Sequence, residues 1–372
     1  MASPTATPTP TKASAVPVKP KPSLLARLRI DPYILLIVSM VVLASLLPAR
    51  GVGAVVVDDA TDLAIALLFF LYGARLSREA VIDGITNWRL QLTVFVATYV
   101  IFPVLALGLS YAMRPILGPE LAAGIVFLGV LPSTVQSSIA FTSIARGNVP
   151  AALCSASLSN LVGIVLTPVL VGFLMTTTNG AGVSLGAIKG IMLQLLLPFV
   201  LGQLVRRWIL PFLNRHKQVV GYVDRGSILF VVYGAFSEGV VNGLWHQVDA
   251  LSLVELLIAN SVLLAVVLGI THFAGKRLGF NREDRITILF CGSKKSLASG
   301  IPMASLLFPA STVSLIVLPI MLFHQIQLMV CAALAARWGR EAAAAEAARS
   351  ARALNEAPPA QAMPQPAVPG RA

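Results

Sequence analysis

Lys294 and Lys295 stand side by side in a stretch that is otherwise apolar or hydroxyl-bearing. Ser293 precedes them, Ser296 follows, and Gly292 and Pro302 mark helix-breaking points on either flank. An ammonium group at the centre of a bilayer costs roughly 2.5–3.5 kcal/mol on insertion scales, so a buried pair needs a partner. No Asp or Glu lies close in the sequence, and Glu238 and Glu255 could approach only through folding. Two ammonium groups without a carboxylate can hold an anion, and helix N-termini at a break add positive dipole ends to the same place. The competing reading puts both lysines at a membrane surface.

A second stretch has the same character. Gly129, Pro132, Ser133, Thr134, Gln136, Ser137 and Ser138 interrupt another apolar run. A broken helix frees backbone groups that lipid cannot satisfy, so such breaks belong where protein or a wet cavity encloses them. Pro132, Ser133 and Gln136 therefore join Ser293, Lys294, Lys295 and Ser296 as candidate substrate-binding residues. The simpler alternative is that Pro132 and Pro302 kink ordinary helices whose serines bond their own backbone. His324 and Gln325 add polarity to a third apolar run. A histidine with an ordinary pKa of about 6.5 can exchange protons, although a lone membrane histidine more commonly bonds a neighbouring helix.

These residues need apolar elements to carry them, and the composition supplies those. Of 372 residues, 56% are apolar and 12% are charged, about half the charged share of a soluble domain. A membrane span needs roughly 20 mostly apolar residues. Ten candidates follow: 33–49, 60–73, 90–113, 120–144, 149–175, 185–204, 222–241, 251–274, 286–308 and 311–338. With the N-terminus in the cytoplasm, 23 of the 28 basic residues fall on the cytoplasmic side and 3 on the outer side, the other two being Lys294 and Lys295. That is the positive-inside bias of a polytopic protein. The net charge of +12 is thereby explained by topology, without nucleic acid as a partner. The expectation is an all-α integral protein of the cytoplasmic membrane with both termini inside.

The expected organisation is a disordered N-terminal tail (1–29), a transmembrane domain (30–338) and a cytoplasmic C-terminal tail (339–372). Residues 1–22 are rich in Pro, Thr, Ala and Lys, 341–355 are helical by propensity, and 357–372 turn Pro-rich. Arg27 and Arg29 before an apolar run imitate a signal peptide, but the run is long and an uncleaved first span fits better. The largest loop, about 206–224, divides the chain into halves of five spans, and an odd number inverts the second half relative to the first. The two interruptions then fall in the fourth span of each half. Paired interruptions at matching positions are the sequence pointer to a transport site. Cys154, Cys291 and Cys331 lie in apolar stretches and read as packing residues.

The ten spans, the paired breaks, and the run Ala145-Arg146-Gly147-Asn148 leading into a Ser-rich span that ends Leu166-Thr167-Pro168 resemble a divergent branch of the bile acid:sodium symporter family, over about residues 30–338. The resemblance implies a panel (about 33–78 and 185–241) beside a core (about 89–176 and 250–338), with broken helices 4 and 9 crossing near the midplane and the panel rocking against the core. It implies sodium ligands at Thr98, Ser137 and Ser138, and among Ser155, Ser157, Ser159 and Asn160. The ninth helix departs from the family pattern. A glutamate shared by both sodium sites is replaced by Phe290 or Cys291, and a Gln-Asn pair by Lys294–Lys295. Hard cations want several oxygens and negative charge, so the loss of a carboxylate and gain of two cations disfavours sodium coupling. The expectation is that Lys294 occupies the space of a sodium ion while Lys295 faces the substrate.

The leading functional reading is a secondary transporter of a small or amphipathic organic anion, with no cofactor. A channel lacks a repeated filter or ring of charge. An enzyme lacks a nucleophile–base pair: His216 lies in a basic segment, and His246 and His272 lie near span ends. A regulatory or scaffold protein on the same fold is the alternative to transport.

Overall fold

The longest continuous helical run, Trp88–Val130, has 43 residues. At ~1.5 Å per residue it would measure ~65 Å if straight, about twice the hydrocarbon thickness of a bilayer. It folds back instead. Gly118, between Pro115 and Pro119, adopts φ 79° and ψ 169°, where a side chain would be strained. The Ser110 hydroxyl then donates to the Ala122 carbonyl at 2.7 Å across the hairpin. Farther along, Gly129 lies against Ala106 so closely that a Cβ would come within 2.4 Å of the Ala106 Cβ. The two arms are the segments expected at 90–113 and in the first half of 120–144.

This is a computed structural model, and it describes residues 32–75, 87–179, 185–243, 245 and 248–356. Among these every regular element is helical. They run α1 (Pro32–Leu46), α2 (Val52–Arg75), α3 (Trp88–Val96), a π-helical turn (Ala97–Ile101), α4 (Phe102–Val130), α5 (Gln136–Ile144) and α6 (Val149–Asn179). There follow α7 (Leu185–Arg215), α8 (Lys217–Val241), α9 (Ala250–Arg277), α10 (Arg282–Gly292), α11 (Leu297–Leu307) and α12 (Ala310–Glu356). Six runs among the described residues are long and apolar enough to cross a membrane. The expected tails at 1–22 and 357–372 lie outside the described residues.

Two expectations are corrected. The stretch 206–224 is no loop: α7 and α8 continue through it, meeting at a corner at His216. Leu71, Ala74, Leu213 and Val220 form a buried apolar cluster there, which gives these helix ends something to pack on despite their surface charge. The second apolar segment, expected from residue 60, begins at Val52 and carries Asp58, Asp59 and Asp62 on its exposed side. The propensity reading of 341–355 is met, since α12 runs on to Glu356.

Packing falls into two groups of helices. α2 and α7 touch backbone to backbone: a Cβ at Gly73 would lie 2.0 Å from the Phe199 carbonyl oxygen, and one at Gly202 would lie 2.1 Å from that of Phe70. α8 seats against α1 and α2 through the Arg75–Asp224 ion pair (2.9 Å) and the Tyr233 hydroxyl on the Leu47 carbonyl. The remaining helices pack around the α4–α5 and α10–α11 breaks, with Phe102 edge-on to Phe323 and Phe127 edge-on to Phe308. α8 also contacts α11 and α12.

Candidate functional site

Leu131 is extended (φ −71°, ψ 154°), as the residue before a proline prefers, and it ends α4. An α-helix leaves its last carbonyls without internal donors, and in a buried setting each needs one. The Leu128 carbonyl accepts from the Leu131 amide (3.4 Å). That of Val130 accepts from the Thr167 hydroxyl (2.9 Å), and that of Ser133 from the Asn160 amide (2.8 Å). The Pro132 carbonyl accepts from the Ser296 amide (2.9 Å), a direct backbone bond between the two breaks. The Ser133 amide, which would ordinarily close onto Gly129, donates to the Ser159 hydroxyl instead (3.0 Å). The Gly129 and Leu131 carbonyls are thereby left to something else.

Lys295 fills that role. Its Nζ donates to the carbonyls of Gly129 (2.6 Å), Leu131 (2.7 Å) and Thr98 (2.8 Å). The third acceptor comes from the π-helical turn. There the Phe102 amide bonds back to the Ala97 carbonyl, and the residue that would serve Thr98 in the same pattern is Pro103, which has no N–H. All three ammonium protons thus meet backbone oxygens, two from the end of α4 and one from the π-helical turn, and the Phe102 ring lies 4.3 Å from Nζ. The side chain is wholly buried. The geometry is a carbonyl cage around a single positive charge.

Lys294 is equally buried but held differently. Its Nζ reaches one oxygen, the Ser137 hydroxyl at 3.2 Å, and lies 4.3 Å and 5.5 Å from the Phe141 and Phe290 ring centroids. The expectation put Lys294 in a cation's place and Lys295 towards a substrate; the carbonyls are around Lys295, and the hydroxyl and aromatic faces are around Lys294. The reason lies in the break. Ser293 closes α10, its hydroxyl on the Leu289 carbonyl at 2.6 Å, and consecutive residues after it diverge to opposite sides. Neither lysine has an acidic partner: the ion pairs among the described residues are Arg75–Asp224, Arg146–Glu346 and Arg337–Glu341.

The carbonyls of the second break are served by hydroxyls. Ser133 donates to Cys291 (2.6 Å) and Ser138 to Phe290 (3.2 Å). Ser296 caps α11 by accepting the Ser299 amide (3.2 Å). Gln327 of α12 pairs with the Lys295 backbone in both directions, accepting its N–H (2.9 Å) and donating to its carbonyl (2.8 Å). It also meets His324 Nδ1 at 2.9 Å. Gln327 is the residue that sequence reasoning missed; an uncharged amide one turn beyond His324 in an apolar helix was the available signal. Gln325 lies apart, its amide buried with no hydrogen-bond partner.

Most of the oxygens expected for sodium are taken up by the protein's own hydrogen bonds. Thr98 contributes its carbonyl, while its hydroxyl has no partner. Ser137 meets Lys294 and Thr134, and Ser138 meets Phe290. Ser155 bonds the Gln91 side chain at 2.8 Å, and Asn160 takes the Ser299 hydroxyl at 2.9 Å. Ser157 is half-buried outside these bonds. An ammonium already stands where three freed carbonyls meet, and no carboxylate among the described residues pairs with it. The residues present do not fit a bound sodium ion at that point.

Gln136 leaves the break and reaches a different place. It is exposed and lines a cavity of about 470 Å3 with Arg75, Lys217, Asp224 and Arg225. Its neighbour Ser137 is the Lys294 partner, so this cavity and the buried lysine share one turn of α5.

Comparison with known proteins identifies a family for this chain. A sequence profile of the SBF-like CPA transporter family matches residues 31–340. An uncharacterised Pseudomonas aeruginosa protein is 56% identical over 88% of this chain and 97% of its own length. Escherichia coli YfeH, named a candidate symporter, is 53% identical over 84% of this chain and 94% of its own. The Rattus norvegicus sodium/bile acid cotransporter 7 is 30% identical over 82% and 92% respectively. This multi-pass membrane protein, helical in every regular element among its described residues, belongs to the SBF-like CPA transporter family.

Proposed function

We propose that the protein is a secondary transporter of a small or amphipathic organic anion, in which the Lys295 ammonium permanently occupies a cation position and Lys294 is the charge offered to the substrate. The observation that carries this reading is the cage of three backbone carbonyls closed by Lys295 Nζ. An ion that must leave in each cycle would need labile ligands and a counter-charge. A tethered ammonium needs neither, and it supplies the same positive charge at the crossing without sodium. Lys294, with one hydroxyl partner, keeps donors for an anion.

In this reading ten helices form two inverted halves of five, broken in the fourth of each, and both termini lie in the cytoplasm of a cell whose cytoplasmic membrane holds the protein. The α1, α2, α7 and α8 group is the panel and the rest is the core, and alternating access is a rocking between them. The cavity at Gln136 is the inner vestibule: Arg75, Lys217 and Arg225 against Asp224 leave a positive excess that attracts an anion.

The full burial of both lysines favours a second reading, a closed regulatory or scaffold protein on this fold. Counterflow in proteoliposomes separates the two. A panel of organic anions from simple carboxylates to taurocholate, screened by thermal shift in sodium and in choline, supplies the ligand. Sodium-independent stabilisation followed by counterflow of the same anion supports transport. Stabilisation that requires sodium would sink the tethered-cation reading, and binding without counterflow would favour the scaffold.

A further inference from the structure

A groove of about 350 Å3 runs between α3 and α9 and shares no lining residue with the Gln136 cavity. Leu92, Val96, Ile101, Ile270 and Ala274 make its walls apolar. At one end stand Trp88 and Arg89, with Phe280 beneath the Arg89 guanidinium at 5.5 Å and the Leu278 carbonyl accepting from it at 3.2 Å. Lys276 and Arg277 close α9 at that same end and are exposed. None of these three cations is in an ion pair with a described residue. An apolar slot with a tryptophan and a cluster of unneutralised cations at its mouth matches one chemistry in a membrane: acyl chain in the slot, anionic headgroup at the mouth.

We infer that this groove binds an anionic phospholipid, and that the lipid buttresses the site at the crossing. The groove wall includes Ala97, the first residue of the π-helical turn. The next residue, Thr98, gives Lys295 one of its three carbonyls. Ile288 of α10 lines the same wall, and Gly292, at the end of α10, packs so closely on Ala97 that a Cβ there would sit 3.0 Å from it. π-Turns are costly local departures from the helix that concentrate at functional positions. An acyl chain against this one holds the Thr98 carbonyl towards Lys295, whatever the substrate. The slot opens sideways past Trp88 and Leu92, which are 62% and 51% exposed, and the backbone of the π-turn separates it from Lys295. Lateral access suits a lipid and not a solute travelling through the protein.

The test uses the full-length protein in a non-ionic detergent, with dioleoyl phosphatidylglycerol, dioleoyl phosphatidylcholine, inorganic phosphate or taurocholate added separately. Phosphatidylglycerol is expected to raise the unfolding temperature by about 2 °C or more beyond phosphatidylcholine, and native mass spectrometry to find it retained. Arg89→Gln removes the headgroup contact and Thr93→Trp fills the slot; each should abolish the preference. Arg340→Gln, an exposed charge of α12 outside the groove's lining, should keep it. Equal effects of the two lipids overturn the inference, as does a preference that survives either groove substitution or is lost in Arg340→Gln. Full stabilisation by phosphate alone, or by taurocholate with the same dependence on Arg89, overturns it in favour of a free anion or a substrate.

Discussion

The two broken helices face the same physical problem and solve it with different chemistry. At the α4–α5 break the freed carbonyls point inward to one place, and a cation from the other break satisfies two of them along with Thr98. At the α10–α11 break the carbonyls of Leu289, Phe290 and Cys291 take one serine hydroxyl each, from Ser293, Ser138 and Ser133. Neutral donors suffice there because the carbonyls are met separately, that of Leu289 by the Ser293 amide as well as its hydroxyl. Where three partial negative charges converge, a formal positive charge is the better match. The comparison teaches that Lys294 and Lys295, identical in type and burial, are not equivalent: one completes the protein's own hydrogen bonding and the other retains capacity.

Breaking that asymmetry at Lys295 should have the largest effect. Lys295→Ala leaves three buried carbonyls without a donor, and at ~1 kcal/mol or more for each the protein should lose about 3 kcal/mol or more of stability. If the cage is a cation position, sodium chloride should raise the unfolding temperature of Lys295→Ala more than choline chloride does, while wild type should respond equally to both. A sodium response shared by both proteins would remove the case for equivalence between the ammonium and the ion. Lys294→Gln comes next. It should fold and insert normally, because one hydroxyl contact is lost, but weaken binding of any stabilising organic anion by about tenfold or more, the value of one charge-assisted hydrogen bond. Unchanged affinity in this variant would move the substrate site away from Lys294.

Much of this was legible in the sequence, and what was not has physical causes. Paired helix breakers in apolar segments identified both interruptions, because proline and glycine act locally and need no tertiary context. The lysines were found by their cost in lipid. Which groups each lysine would meet was not legible, since the turn after Ser293 that sends neighbours to opposite sides is decided by contacts with α4, α5 and α12. The hairpin at Gly118 could be read as a boundary from Pro115 and Pro119, whereas the π-turn at Ala97–Ile101 left no clear mark except Pro103. The helical corner at His216 was hidden because surface arginines there outweighed the small apolar cluster that holds it.

Gln327 sharpens the comparison from a third side. It clamps the Lys295 backbone through both of its amide atoms and so aims the side chain into the cage. Gln327→Leu removes two hydrogen bonds and leaves a buried N–H and carbonyl unmet, for a loss of about 2 kcal/mol by thermal or denaturant unfolding. Gln327→Glu, which can still accept the N–H, should lose less. If both variants lose equally, the clamp contributes packing and not hydrogen bonding.

The smallest expected effect is the most specific. Pro103 withholds the one backbone N–H that could satisfy Thr98 within its own helix, and this leaves the Thr98 carbonyl to Lys295. Pro103→Ala restores that donor in a position where alanine fits helical geometry, so global stability should change by less than about 1 kcal/mol, in either direction. The local consequence is directional. The Thr98 carbonyl now has a competing partner, and the cage falls from three committed oxygens towards two. In the Lys295→Ala background, adding Pro103→Ala should therefore weaken the sodium-dependent rise in unfolding temperature, while leaving the response to choline untouched. A double variant that responds to sodium as fully as Lys295→Ala alone would show that the π-turn carbonyl is dispensable, and that Gly129 and Leu131 of the first break make the cation position by themselves.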